Sequence, residues 1–148
     1  MRIGAMMDKS VETVAPDTGL GTLLQRQKDK ACRLLYVVEQ GRLVGVISSL
    51  DLLKAVSPAW LDENLSRALS DDQPLTLRSL ADNSGRTARD LMTAGPVTLS
   101  PDDHVLRAEI LIRDRGFNVL PVVDGSGALV GEIGRGVILR HLAAQLEK

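Results

Sequence analysis

The chain has 148 residues, a length that suits one compact domain or two small halves packed closely together. Its 18 Lys and Arg against 19 Asp and Glu give a net charge of −1, and only 2% of its residues are aromatic. Nucleic-acid binders typically carry a basic excess or aromatic residues on which bases stack, so we expect no nucleic-acid partner. No apolar run approaches the length of a membrane span.

The amino-terminal residues "MRIGAMMDKS" lack the apolar core of a signal peptide. The single cysteine, Cys32, excludes an intrachain disulfide, and this fits a reducing compartment. We therefore expect a cytoplasmic protein that does not engage a membrane.

The sequence contains an internal repeat. When it is shifted by 85 positions, "MMDKSVETVAPD" falls on "LMTAGPVTLSPD". One extra residue in the turn "DGSGA" makes the shift 86 thereafter, so that "LVGVI" falls on "LVGEI". Similarity at a fixed spacing indicates repeated structural units. We predict a first repeat at residues 1–56, a linker of helix and loop at 57–88 and a second repeat at 89–148.

The first repeat predicts an extended segment, a helix, two strands and a closing helix. The extended segment "VETV" ends near Pro16, because proline disfavours helix before it and suits a helix start. "RLLYVVE" and "RLVGVIS", with a turn at Gly41, predict two strands, followed by a helix over Ser49–Ala55. The residues at helical spacing in the first helix are Leu20, Leu23, Leu24 and Ala31.

The linker and the second repeat follow the same reasoning. In the linker, "SDDQP" and "DNSG" are typical of loops, while the residues around Pro58 either extend the closing helix or begin a new one. In the second repeat, "NVLPVVD" and "ALVGEIG" predict strands around a turn at Asp124–Gly127, and a helix is expected over Arg135–Leu146. In the helix that precedes these strands, the residues at helical spacing are Val105, Ala108 and Ile112.

Two copies of this pattern in order resemble a tandem pair of cystathionine-β-synthase (CBS) domains. The resemblance covers Met7–Ala55 and Leu91–Ala143 and includes the ending "GVISSLDLL" of the first repeat. It implies an α+β fold in which two β-α-β-β-α repeats pack as an intertwined pair with clefts between them. Members of this family commonly hold adenine nucleotides or related adenosyl compounds in these clefts and often dimerise through their helices.

The family pattern assigns roles to two residues at the start of the closing helix of the first repeat. By resemblance, Ser48 faces phosphate and Asp51 holds the ribose hydroxyls. A helix amino terminus also attracts phosphate through its unpaired N–H groups. However, Ser-x-x-Asp is equally a capping box, which serves only the helix. In the second repeat, "GEIGRGVIL" has neither side chain at the matching places, so we expect at most one complete adenosyl site.

The resemblance also outlines the walls of the cleft. It places Thr13 and Val14 near the base, and the backbone around Leu35 and Tyr36 on the opposite wall. Tyr36 departs from the family, which usually has proline there, as the second repeat does at its equivalent position. The tyrosine therefore either makes the wall bulkier or offers a hydroxyl to the ligand.

Several arginines are secondary candidates. Arg135 either reaches phosphates across the module or is a solvated residue at a helix start. Three further arginines flank the predicted strands and either neutralise phosphate or lie in solvent: Arg33, Arg113 and Arg115.

The two histidines do not predict a metal site, because neither His104 nor His141 has a Cys or another His close by in sequence.

These features favour a stand-alone regulatory module that senses an adenosine-containing ligand, such as AMP, ADP, ATP or S-adenosylmethionine. Such a module needs no cofactor and signals to a separate, unidentified protein. The alternative is a ligand-free dimeric interaction or scaffold module. No nucleophile–base pair or cofactor loop indicates an enzyme.

The helix that begins near Val105 is apolar over a wide arc, which favours a homodimer.

Overall fold

The computed structural model of the chain describes residues 1–29, 34–58, 60–68 and 73–148. After a short 3₁₀ turn at Ile3–Ala5, the elements of the first repeat are β1 (Thr13–Val14), α1 (Leu20–Asp29), β2 (Leu34–Glu39), β3 (Arg42–Ser48) and α2 (Ser49–Val56). Every element predicted for this repeat is present. The predicted helical position Ala31, and with it Cys32 and Arg33, lies outside the described residues.

The linker is more helical than expected. It contains α3 (Glu63–Ala68) and α4 (Gln73–Asp82), and the short helix α5 (Ala88–Leu91) follows. The prediction that "SDDQP" is a loop was wrong for its last two residues, because α4 begins at Gln73; its first three residues lie outside the described chain. Pro74 is tolerated there because the first turn of a helix needs no backbone N–H. The turn predicted at "DNSG" is present after α4.

The second repeat contains its predicted helix, two strands and closing helix. Its elements are β4 (Thr93–Ala94), α6 (Val105–Arg115), β5 (Val119–Val123), β6 (Leu129–Gly134) and α7 (Arg135–Leu146). Strand β4 was not predicted, and the extended segment expected at "PVTL", the equivalent of "VETV", forms only a single bridge between Leu99 and Val122. The α+β architecture with two repeats of sheet plus helices is therefore confirmed.

The two repeats exchange short segments between their sheets. In the first sheet the strand order is β1-β2-β3-β4, so β4 of the second repeat pairs with β3 of the first. In the opposite direction, Asp8 pairs with Glu132 on β6, and the two backbone N–H···O hydrogen bonds between them are both 2.8 Å long. Each repeat thus pairs with the edge of the other repeat's sheet, by a short strand in one direction and by a single bridge in the other.

Two equivalent glycines allow these crossings. A Cβ atom at Gly45 would lie 2.3 Å from the Met92 sulfur, and one at Gly131 would lie 2.8 Å from the Asp8 carbonyl oxygen and 2.9 Å from the Met7 sulfur. Met7 and Met92 are themselves repeat equivalents. Each methionine therefore crosses the partner repeat's second strand where the strand has no side chain.

Each sheet covers its own aliphatic core. Met92 packs against the core of the first repeat, and Met7 against that of the second. The first core includes Leu20, Leu23, Leu35, Val37, Ile47 and Leu52. The second includes Leu99, Ala108, Leu120, Val122, Ile133 and Ile138. The exchanged segments thus tie each core to the opposite repeat, so we expect the two repeats to unfold together.

The substitution Gly131→Ala tests this crossing. The new methyl group would meet a backbone oxygen as well as a methionine side chain, and overpacking of this kind typically costs about 1–3 kcal/mol. We expect urea denaturation followed by circular dichroism to show a loss of this size in the free energy of unfolding. Gly85→Ala is the matched control, since nothing lies within 4 Å of a Cβ there. A Gly131→Ala protein as stable as the control would contradict the close approach.

Candidate functional site

Ser48 lies where the first sheet ends and α2 begins. Its backbone is extended, with φ −93° and ψ 165°, and it is the N-cap of the helix. The Asp51 N–H donates to the Ser48 hydroxyl oxygen at 3.1 Å, and the Ser48 N–H donates to the Asp51 carboxylate at 2.8 Å. The capping box is thus present, and the Asp51 carboxylate is turned back toward its own helix start. One carboxylate has room for further hydrogen bonds, since its two oxygens together offer about four lone pairs.

A cavity of about 200 Å³ adjoins Asp51 and is lined by charges of both signs. Besides Asp51, its charged lining residues are Lys54, Arg86 and Asp90. Asp90 belongs to a second capping box, in which its carboxylate accepts hydrogen bonds from the Thr87 N–H at 2.9 Å and the Thr87 hydroxyl at 3.2 Å. These bonds, the backbone one above all, hold the pKa of Asp90 below its usual value.

Sequence reasoning missed this second capping box. Thr-x-x-Asp at Thr87 and Asp90 has the same spacing as the Ser48 motif, so the same local signal was available. The common cavity brings the carboxylates of the two boxes to one place, although they lie on helices from different parts of the chain.

The predicted wall residues divide between the two faces of the first sheet. Successive side chains on a strand point to opposite faces. Val14 and Leu35 belong to the buried core, so only their backbone is available to a ligand. Thr13, Tyr36 and Ser48 alternate with core residues, and Thr13 pairs directly with Tyr36 across the strands. Their face is called the inter-repeat face below, because the second sheet lies opposite it.

Tyr36 connects the first sheet to the second. This side chain has no exposed surface, and its hydroxyl donates to the Glu132 carboxylate on β6 at 2.5 Å. Glu132 pairs with Pro121 in the second sheet, as Val46 pairs with Tyr36 in the first. The residue that departs from the expected proline therefore joins one repeat to the other.

Glu132 was missed by the sequence reasoning. A signal was present, because Glu132 replaces Val46 in an otherwise matching apolar frame, "LVGVI" against "LVGEI". A charged residue at a strand position that is apolar in the equivalent repeat indicates a specific polar partner. The identity of that partner could not be read from the sequence.

The remaining candidates are arginines outside this cluster. Arg135 is exposed at the first position of α7, where Gly134 provides no side-chain cap. Arg113 pairs with Asp114 at 2.7 Å, and the Arg115 guanidinium lies 5.4 Å from the Phe117 ring centre. Both arginines are exposed. Arg33 lies outside the described residues.

Two other kinds of site have no support among the described residues. They contain no group of three His, Cys, Asp or Glu side chains that could hold a metal ion. No helix in the same part of the chain combines the length and the hydropathy that crossing a bilayer needs.

Comparison with known proteins places this geometry in a family. The CBS domain pattern matches residues 3–58 and 88–144. A CBS domain-containing protein of Dictyostelium discoideum is 32% identical over 143 residues, which cover 96% of this chain and 91% of the relative. The chloroplastic protein CBSX2 of Arabidopsis thaliana is 29% identical over 139 residues, and the match spans 89% of this chain but only 58% of CBSX2.

Solved structures agree with the sequence comparison. The crystal structure of CBSX2 in complex with AMP has a TM-score of 0.75 and 26% identity, with 99% of this chain and 98% of that chain covered. A further CBSX2 structure has a TM-score of 0.78 at 25% identity, and the match covers 99% of this chain and 97% of the other. The match in both repeats and along the whole fold leads to one conclusion: the chain belongs to the CBS domain family and is a tandem pair of CBS domains.

Proposed function

We propose that this CBS pair is a regulatory module that binds an adenosine-containing ligand at Ser48 and Asp51 and signals to a separate protein. The observation that carries the proposal is the hydroxyl–carboxylate pair at the start of α2, on the edge of the inter-repeat face. CBSX2, whose structure is similar along the whole chain, has been crystallised with AMP. We retain residues 1–56, 57–88 and 89–148 as the two repeats and their linker.

The electrostatics around α2 suit a phosphorylated ligand. The first N–H groups of a helix and its dipole favour an anion. In the cavity beside Asp51, Lys54 and Arg86 balance the charges of Asp51 and Asp90, so the attraction for a phosphate comes from the helix terminus. A phosphate at the helix start and a ribose on the carboxylate are therefore compatible.

The capping box sets a cost for this binding. To accept hydrogen bonds from both ribose hydroxyls, the Asp51 carboxylate shares or gives up its hydrogen bond with the Ser48 N–H. Loss of such a cap lowers the stability of the helix by about 1 kcal/mol. The ligand's own hydrogen bonds to the carboxylate have to offset that loss. This exchange makes the first turn of α2 sensitive to occupancy.

Signalling then follows from the exchanged segments. A ligand on the inter-repeat face contacts a sheet that is completed by β4 of the other repeat. It therefore favours one arrangement of the two repeats, to the extent that its affinity differs between arrangements. The regulated protein reads that arrangement. We expect no catalytic step and no required cofactor in this role, and the cytoplasmic location stays a prediction.

The capping box favours a second candidate, a ligand-free scaffold. In that case Ser48 and Asp51 only stabilise α2, and the module acts through its surfaces alone. The two functions differ in one measurable property, which is whether removal of the Asp51 carboxylate changes the affinity for a ligand.

Asp51→Ala separates the two functions. Titration calorimetry with AMP, ADP, ATP and S-adenosylmethionine is expected to give binding of at least one ligand by the wild-type protein. The variant should bind about tenfold or more weakly, since hydrogen bonds to a charged group contribute about 1.5–3 kcal/mol. Its free energy of unfolding should fall by only about 1 kcal/mol.

Asp103→Ala is the matched control for this experiment. Asp103 accepts a hydrogen bond from the N–H of Ser100, three residues earlier, at 2.8 Å, but it lies in the second repeat, just before α6, where it also pairs with Arg107. The Asp103→Ala protein should keep the wild-type affinity. If none of the four compounds produces heat or a thermal shift, the sensing function is wrong and the scaffold remains.

We further propose that the module is a homodimer. The closing helices α2 and α7 expose equivalent leucines, Leu53 at 58% and Leu139 at 62%. On α6, Leu106 and Ile110 are also exposed, at 60% and 50%, which explains the wide apolar arc in its sequence. Exposed apolar side chains gathered on helices are typical of protein interfaces.

Leu139→Glu tests the dimer. A carboxylate in an apolar interface would be desolvated without a partner, so we expect the variant to sediment as a monomer where the wild type sediments as a dimer. Leu77→Glu on α4 is the control, because Leu77 is similarly exposed, at 56%, but lies in the linker. A wild-type protein that is monomeric at micromolar concentration would contradict the proposal.

A further inference from the structure

The hydrogen bond between Tyr36 and Glu132 lies within reach of a ligand held at Ser48. Tyr36 pairs with Val46, two residues before Ser48 on the same strand, and both Tyr36 and Ser48 lie on the inter-repeat face. Two residues of a strand span about 7 Å. A purine extends beyond its ribose by a comparable length, so one end of a nucleoside held by Asp51 would reach the Tyr36–Glu132 pair.

Charge decides which end of the nucleotide faces this pair. The amino terminus of α2 lies at the Asp51 end, where Lys54 and Arg86 offset the carboxylates of Asp51 and Asp90 that line the same cavity. At the other end lies the Glu132 carboxylate, which is half-buried and would repel a phosphate. The phosphate is therefore favoured at the α2 end, and the base is directed toward Tyr36 and Glu132.

An ionised carboxylate can only accept hydrogen bonds. The amino group of adenine donates, whereas the carbonyl oxygen that hypoxanthine carries at the same position only accepts. The carbonyl would face carboxylate lone pairs in a partly desolvated place, and such a mismatch is penalised because neither acceptor gains a donor.

We propose that Glu132 selects ligands by the base, preferring a purine with an exocyclic amino group over one with a carbonyl there, and that Tyr36 positions the Glu132 carboxylate for this contact. The inference rests on the proposed function, because it requires a nucleotide at Ser48 and Asp51. It assigns a specificity role to two of the residues in which the repeats differ, Tyr36 in place of proline and Glu132 in place of valine.

The test compares the affinities for AMP and IMP by calorimetry. We expect the wild-type protein to prefer AMP by about tenfold or more. Glu132→Gln should bind AMP more weakly and IMP more tightly, because its amide can donate to the IMP carbonyl, so that the ratio falls to about threefold or less. Tyr36→Phe keeps the ring but removes the hydrogen bond from its hydroxyl to the carboxylate, so its ratio of AMP to IMP affinity should fall between these two values.

The controls separate specificity from stability and from binding itself. Glu39→Gln removes a carboxylate on the same sheet that pairs with Arg89, and it should leave the AMP to IMP ratio unchanged. If Glu132 and Tyr36 are only structural, their variants will melt at lower temperature and will lose affinity for AMP and IMP by the same factor. That result would overturn this inference and leave the proposed function standing. A wild-type protein that binds AMP and IMP equally also overturns it alone. If the wild type binds neither nucleotide, this inference is wrong, and the proposed function is judged separately by the other ligands.

Discussion

The structure depends on the close crossing of two segments over two glycines. Gly45 on β3 and Gly131 on β6 occupy equivalent places in the two repeats, and each is crossed by a methionine from the start of the opposite repeat. Any larger residue would push the crossing segment away. The apolar frame is therefore retained in both repeats because it forms the crossing, which both sheets need to be complete.

The polar residues are free to differ because the crossing does not use them. Ser48 and Asp51 begin α2, whereas Gly134 and Arg135 begin α7 without a side-chain cap. Tyr36 and Glu132 likewise have Pro121 and Val46 as their equivalents. A nearly twofold frame thus carries one polar site, and the difference between the repeats is where the ligand chemistry is concentrated.

The capping box and the proposed ligand site use the same atoms, and this connects stability to sensing. In the structure the Asp51 carboxylate holds the Ser48 N–H, so the first turn of α2 is complete without a ligand. A ribose would compete for that carboxylate, while a phosphate would satisfy the helix terminus directly. The helix start is thus stable in either state, and the balance between the states depends on local hydrogen bonds of modest energy.

The sequence by itself determined the order of helices and strands, the repeat and the Ser48–Asp51 contact. These depend on neighbours a few residues apart: apolar spacing, the backbone limits of proline, and a hydrogen bond across one helical turn. Gln73 shows the limit of such reasoning, since a polar, proline-containing segment began a helix. Only the tertiary structure decided that Tyr36 meets Glu132, which is 96 residues away, and that Asp90 shares a cavity with Asp51. Such contacts depend on how two sheets and their exchanged segments pack against each other, and no local pattern specifies that arrangement.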